Sequence, residues 1–251
     1  MARTVAAETL DGLSEDDPAA RRSRADLRRI HRFMGTRSIV ARALREMLAE
    51  RPAGKPLRVL ELGAGDGSLM LGVAGALGAS VSRVELTLLD RQRLLAPSTV
   101  DAYAALGWTA KPAVIDVHEW VAARSDPFSR GSGGARRRWD LIVANLFLHH
   151  FEGAPLSALL ASIAARTDRF FACEPSRARV ALWGSRLVGV IGANAVTRED
   201  AVLSVHAGFR DHELTALWAD TAEGWDLREH SAGLFSHCLR AQRTRAPRNQ
   251  S

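Results

Sequence analysis

Apolar residues along this 251-residue chain follow two rhythms: short, nearly unbroken runs, and recurrences at three- and four-residue spacing. The runs are Val84 to Asp90, Leu141 to Leu146 and Arg169 to Cys173, and the segment ending at Leu62 alternates apolar with polar positions and also predicts a strand. Runs of that length predict strands buried on both faces, as in a parallel sheet. Helical spacing fills the gaps. Leu27, Ile30, Phe33 and Met34 predict a helix from Arg24, and a second runs roughly from Ser38 to Glu50. Further helices are predicted at Ser68 to about Leu77, Pro97 to Leu106, Ala178 to Ala193 and Asp200 to Ala207, the last capped by Thr197-Arg-Glu-Asp200. A shorter strand is expected at Ala113 to Val117, and Pro175 is expected to stop the strand that begins at Arg169. Trp225 to His230 and Leu234 to Arg240, joined through Ser-Ala-Gly233, read as a hairpin. Strands alternating with helices predict a doubly wound α/β domain.

The flanks are plainer. Residues 1–22 are mixed in charge, contain Pro18 and show no period, so they are expected to be a flexible tail. Residues 23–52 form a helical extension, 53–242 the α/β domain, and 243–251 a frayed end. Arg51-Pro-Ala-Gly-Lys-Pro56 is the breaker-rich link into the first strand.

The chemistry gathers where the first predicted strand ends. Leu57-Arg-Val-Leu-Glu-Leu-Gly-Ala-Gly-Asp-Gly-Ser-Leu69 is a strand, a turn through Gly63, Gly65 and Gly67, and the start of a helix. Glycine allows a tight turn and a close backbone approach to a ligand. A dinucleotide site places a pyrophosphate here and prefers Gly or Ala at the third glycine position. This chain has Ser68 there, with Asp66 inside the turn and Glu61 just before it. Two carboxylates repel a pyrophosphate. They suit a ligand with positive charge and ribose hydroxyls, such as S-adenosylmethionine (SAM).

Glu61-Leu-Gly-Ala-Gly-Asp-Gly67 resembles the first motif of class I SAM-dependent methyltransferases, of the small-molecule type. Trp139-Asp-Leu-Ile-Val-Ala-Asn-Leu-Phe-Leu-His-His-Phe151 resembles the same family's fourth-strand motif. The resemblance is tight from Arg58 to Asp90, looser from Trp139 to Glu174, and only architectural beyond. It implies a Rossmann-like, seven-stranded, mostly parallel sheet completed by a C-terminal antiparallel hairpin, with an N-terminal helical lid. It also implies SAM as cofactor, with S-adenosylhomocysteine as its product. The implied cofactor contacts are Glu61, Gly63, Ala64, Gly65, Asp66, Gly67, Asp90 with Arg91, Asp116 with Val117, and Asn145 with Leu146. Among these Asp90 would take the ribose hydroxyls and Asp116 the adenine amine. Asp116 also reads as a helix cap.

Open α/β sheets bind ligands at the carboxyl ends of their strands. That rule brings His149 and His150 to the glycine turn, and His suits proton removal from an acceptor hydroxyl at neutral pH. Neighbouring positions on a helical turn point about 100° apart, so one His is expected to face the acceptor and the other to hold the turn. Glu174 is set to contact the acceptor or pair with Arg177, and the pairing is favoured. Trp183 and His237 complete the candidate acceptor contacts, with Arg28, Arg29, His31 and Arg32 on the lid facing an acidic substrate. Methylation is expected at a phenolic or enolic oxygen of a secondary metabolite. The alternatives are carbon or nitrogen of a natural-product scaffold, or RNA through Arg136 to Arg138. No metal is expected, because Asn145-Leu-Phe-Leu148 offers only one weak ligand.

Bulk properties alter little. The net charge of +6 invites a nucleic-acid reading, but all cations except Lys55 and Lys111 are arginines, and they do not form an aromatic-interleaved platform. Cys173 and Cys238 read as reduced core thiols. With no signal-peptide pattern and no uncharged span of membrane length, a cytoplasmic, soluble monomer or homodimer is expected.

Overall fold

In a computed structural model the protein is described at residues 1–49, 51, 55–123, 127–128, 138–218 and 224–244. In chain order the elements are α1 (Thr9–Gly12), α2 (Pro18–Met34), α3 (Thr36–Leu48), β1 (Leu57–Leu62), α4 (Ser68–Leu77), β2 (Val84–Asp90), α5 (Pro97–Ala105), β3 (Trp108–Val114) and α6 (Val117–Ala122). They continue as β4 (Leu141–Asn145), α7 (Gly153–Arg166), β5 (Arg169–Pro175), α8 (Arg179–Leu187), α9 (Ala195–Ala207), α10 (Glu213–Leu217), β6 (Trp225–Ala232) and β7 (Ser236–Arg243).

The strands form one seven-stranded sheet in the order β3-β2-β1-β4-β5-β7-β6. All neighbours run parallel except β5–β7 and β7–β6. Reversal of strand order between β1 and β4 leaves a crevice at their carboxyl ends. β1 and β4 are buried at every position; β4 is accordingly apolar from Leu141 to Ala144, whereas β1 also buries Arg58 and Glu61 among its apolar residues. Alternate residues serve two cores. Leu57 and Val59 pack with Leu44, Met70 and Val73 on one face, while Leu60 and Leu62 pack with Leu156, Leu159 and Trp120 on the other. Among the described residues no helix is long and apolar enough to cross a membrane.

Some boundaries depart from the sequence reading. β3 runs through Trp108–Val114, and not through Ala113–Val117, because an edge strand tolerates Lys111 and Pro112. β5 continues through Pro175, whose partner is Ser236. α9 begins at Ala195; Asn194 caps it by accepting from Thr197 N, so the Thr197–Asp200 pattern is not the cap. The larger correction lies at the N-terminus. Asp17 caps α2, with Pro18 in its first turn, so the helix begins ahead of Arg24. Residues 1–13 are docked and do not form a loose tail. Asp200 accepts from Thr9 N at 2.8 Å and Leu10 N at 2.9 Å, and Arg3 donates to the carbonyls of Ala207 and Phe151. Most of the basic stretch 129–138, and residues 245–251 of the expected frayed end 243–251, lie outside the described residues, while Arg243 closes β7 and Thr244 N donates to the Gly224 carbonyl.

Candidate active site

The carboxyl ends of β1, β2 and β4, with the segment after β3, open on a cavity of about 420 Å³. β1 delivers the chain into the glycine turn, where Gly63, Gly65 and Gly67 have φ of +66°, +56° and +73°. A Cβ on Gly65 would meet nothing within 4 Å, which leaves that side of the turn open to a ligand. Two carboxyl groups fix the turn from outside. Asp90 accepts from Gly65 N and Gln92 N, each at 2.9 Å, and Asp66 accepts from Ser68 N at 3.0 Å while pairing with Arg28 at 2.7 Å. Tyr103 supports it from below, donating to the Gly67 carbonyl at 2.7 Å.

Glu61, Ala64, Asp66, Asp90, Arg91, Asp116, Val117, Asn145 and Leu146 all line this cavity with Gly63 and Gly65, while Gly67 closes the turn behind them. Asp116 caps α6 by accepting from His118 N at 2.7 Å, one of its two expected readings, and it also lines the cavity. Leu146 ends β4 in the left-handed region at φ +50°, a conformation that costs a non-glycine residue roughly 1–2 kcal/mol. Asn145 Nδ2 donates weakly to Glu61 Oε1 at 3.4 Å, leaving Glu61 Oε2 and Asn145 Oδ1 buried without partners. Burial, reinforced by Asp66 and Asp90, pushes the Glu61 carboxyl up to about 8 despite that bond. A ligand cation beside it would relieve both the missing partner and the suppressed charge.

α2 contributes a stripe to the opposite wall: Arg24, Leu27, Arg28 and His31. His31 Nε2 is buried without a partner, and burial holds the ring down to about 4, so it is neutral. Arg29 pairs with Asp26 and does not line the cavity.

His149 and His150 sit on a 3-10 turn, Leu148–His150, and both line the cavity. Glu174 is the floor of this turn. It accepts from the backbone N–H of Phe147, Leu148 and His149 at 3.0–3.3 Å and bonds His149 Nδ1 at 2.8 Å. On its other side His149 Nε2 lies 3.3 Å from Glu8 Oε1, and Ser204 Oγ donates to that same oxygen. Burial alone would lower the His149 pKa, but Glu174 and Glu8 outweigh it and push the imidazole up to about 9. Glu8 is correspondingly held below the usual carboxylate range, its bond to His149 overcoming desolvation. His150 Nδ1 pairs with Asp11 at 3.1 Å, and Asp11 is also 3.6 Å from Arg91. Glu8, His149 and His150 each offer a ligand atom within 4.8 Å of the others. The bonds just described account for Glu8 Oε1 and His149 Nε2 as a proton-sharing network.

Four expectations need correcting. Glu174 does not pair with Arg177; it is fully buried beneath the turn, 25 residues away along the chain from His149. Arg177 instead pairs with Glu213 and donates to the Gly208 carbonyl at 2.9 Å, away from the cavity. Trp183 is 68% exposed and lines no part of the cavity. His237 is bonded through Nε2 to Glu229 at 2.8 Å, on the hairpin. Arg138, the described member of the basic run, caps α7 by donating to the carbonyls of Ala165 and Thr167 and pairs with Asp168 at 3.0 Å, so it is engaged in the fold. Glu8, Asp11, Phe147, Phe151 and Ser204 were not anticipated as site residues. Nothing periodic marks Glu8 and Asp11, and their histidine partners lie more than 130 positions distant.

No protein-family model matches the chain, and no curated protein matches it. Solved structures do resemble it. The plantazolicin methyltransferase BpumL, in complex with a triazolic desmethylPZN analog and SAH, is 12% identical over 91% of this chain and 92% of that one, with a TM-score of 0.64. The magnesium protoporphyrin IX methyltransferase ChlM from Synechocystis PCC 6803, with bound SAM, is 16% identical over 94% and 88%, at 0.51. The CurJ carbon methyltransferase is 15% identical over 83% of this chain and 54% of that one, at 0.52. The fold is that of the class I SAM-dependent methyltransferases.

Proposed function

We propose that the protein is a SAM-dependent methyltransferase acting on a small-molecule acceptor, at a phenolic or enolic oxygen. The observation that carries the cofactor assignment is the acidic rim of the glycine turn. Glu61, Asp66, Asp90 and Asp116 converge on one cavity in which Glu61 Oε2 has no partner. Such a rim repels diphosphates and suits an ammonium, a sulfonium and ribose hydroxyls. Asp90 and Asp116 would hold the ribose and adenine ends, with Glu61 and Asn145 near the methionyl end.

Bound SAM supplies a methyl group already activated for in-line displacement. The chain's own task is to place the acceptor and deal with its proton. His149 is bonded to Glu174 beneath the turn, and His150, paired with Asp11 through Nδ1, is the residue that takes the proton. α2 closes the opposite wall as the lid over both ligands. Methylation of an enolate carbon would use the same placement, and the product distinguishes the two outcomes. The nearby structures include an enzyme named for plantazolicin and another named for carbon methylation, in keeping with a secondary-metabolite acceptor.

Calorimetry tests the cofactor assignment directly. S-adenosylhomocysteine should bind, while nicotinamide and flavin dinucleotides should not; the reverse result removes this function. Mass spectrometry of small molecules incubated with the protein and SAM then reads the transferred methyl.

A further inference from the structure

Glu8 occupies a telling place. Its carboxylate oxygen reaches from the N-terminal segment to the cavity wall, 3.3 Å from His149 Nε2, and accepts from Ser204 Oγ. We propose that this oxygen occupies an oxyanion subsite, formed by the His149 ring N–H and the Ser204 hydroxyl, in which the acceptor binds as its anion after displacing Glu8. The inference rests on the methyltransferase reading and narrows its substrate class to acceptors bearing an ionisable hydroxyl.

Three features support it. The imidazole is built to carry charge: Glu174 is fully buried, pinned by three backbone N–H groups, and accepts a hydrogen bond from Nδ1–H, which turns Nε2–H toward the cavity. The groups facing His149 are Glu174, Glu8 and the His150 ring, whose own partner is Asp11. Two carboxylates on one ring keep it cationic through the neutral range. A cationic ring is not a base, so its use is to stabilise negative charge. Second, the occupant belongs to the chain but not to the fold's core. Glu8 precedes a single helical turn that docks on α9 through Asp200, so removing its carboxylate leaves the sheet intact. Third, the neighbouring surface suits a planar ring, since Phe147 and Phe151 meet edge to face at 5.2 Å and both line the same cavity.

The reaction then balances without a proton at the reacting atom. The acceptor hydroxyl loses its proton to His150 or solvent as it binds. A lone pair on the resulting anion forms the new bond to the methyl carbon as the carbon–sulfur bond breaks and sulfur keeps that pair. The methylated product is neutral and no longer pairs with His149. Glu8 can then return and expel it.

4-Nitrophenolate, whose visible absorption reports both ionisation and binding, is a direct probe, with 4-nitroanisole as its neutral counterpart. Both are titrated into the full chain, with and without S-adenosylhomocysteine. Glu8→Gln and Glu8→Ala are expected to tighten nitrophenolate binding by about tenfold or more, as expected when a like charge leaves a pairing site. Nitroanisole should be unaffected, and Ser204→Ala placed on Glu8→Ala should reverse part of the gain. Unchanged nitrophenolate affinity in both Glu8 variants, or an equal gain for the neutral probe, overturns the subsite. Failure of the nucleoside alone to bind overturns the methyltransferase reading instead, while the probe titrations still decide the anion site.

Discussion

Gly63 and Phe147 leave no room between them: a Cβ built on Gly63 falls 2.2 Å from Phe147 Cδ2. Gly63 also has φ +66°, where an alanine is strained by roughly 1–2 kcal/mol before any collision. Gly63→Ala is therefore expected to push the Phe147 ring into the cavity and weaken S-adenosylhomocysteine binding, read by calorimetry. Adding Phe147→Leu should recover part of that loss by making room, while the backbone strain remains. Normal affinity in Gly63→Ala alone would show that the turn can move aside.

Glu61 gives a second test. Without a cation beside it, burial keeps its proton on to about pH 8. Binding a ligand ammonium should expel that proton, so calorimetry of S-adenosylhomocysteine at pH 7 in buffers of different ionisation enthalpy should show proton release. Glu61→Gln preserves the shape but loses the charge. It is expected to bind at least about tenfold more weakly, the scale of one lost charge-assisted contact, and to release no proton. Equal proton release in wild type and Glu61→Gln would assign the proton elsewhere.

How much of this was readable beforehand depended on where each segment lies. β1, β4 and the glycine turn are buried on both faces or fixed by glycine, so local sequence specifies them. Edge strand β3 carries Lys111 and Pro112 because one side lacks a neighbour, and its start was lost for that reason. The acidic rim could be inferred from Glu61, Asp66 and Asp90 because they sit at or just past the carboxyl ends of β1 and β2, whose spacing the fold fixes. Glu174 was placed at the correct sheet edge but given the wrong partner: its bonds go to the turn at 147–149, on the strand next door. Glu8 and Asp11 were unreadable. Their segment is held by polar contacts to α9 and to the histidine turn, and such contacts leave no period in the chain.

Arg177 separates structure from site. Its side chain is 1% exposed and paired with Glu213. Glu213 is one-third exposed, so losing Arg177 costs less than breaking a fully buried pair. Its lost hydrogen bonds to the Gly208 carbonyl and Glu213 set a scale of about 1–3 kcal/mol. Arg177→Met is expected to lower the thermal midpoint by several degrees while leaving S-adenosylhomocysteine affinity unchanged. A selective loss of affinity with normal stability would return Arg177 to the site.

Two raised pKa values make stability fall as pH rises. His31, held down to about 4 against 6.5, opposes them between pH 4 and 6.5, where the buried neutral ring costs less as pH climbs. The His149 pKa stands at about 9 in the folded chain against 6.5 for a free imidazole, so the folded state holds its proton more tightly. That stabilisation is complete below about pH 6.5 and is lost as pH rises through 9. Glu61 stands at about 8 against 4.5, so folding also favours its protonated form, and stability falls as pH climbs from 4.5 through 8. Each tenfold difference in proton affinity corresponds to about 1.4 kcal/mol, enough to move the midpoint of a chain this size by roughly 2–4 °C or more. With His31 offsetting Glu61 below about pH 6.5, urea midpoints should decline from about pH 6.5 toward pH 9. His149→Gln should flatten the decline between 6.5 and 9, whereas Glu61→Gln should flatten its part below pH 8, uncover the rise from His31 between 4.5 and 6.5, and gain stability at the alkaline end. If His149→Gln leaves the upper limb as steep as wild type, Glu8 and Glu174 do not hold a proton on that ring, and the oxyanion subsite loses its cation.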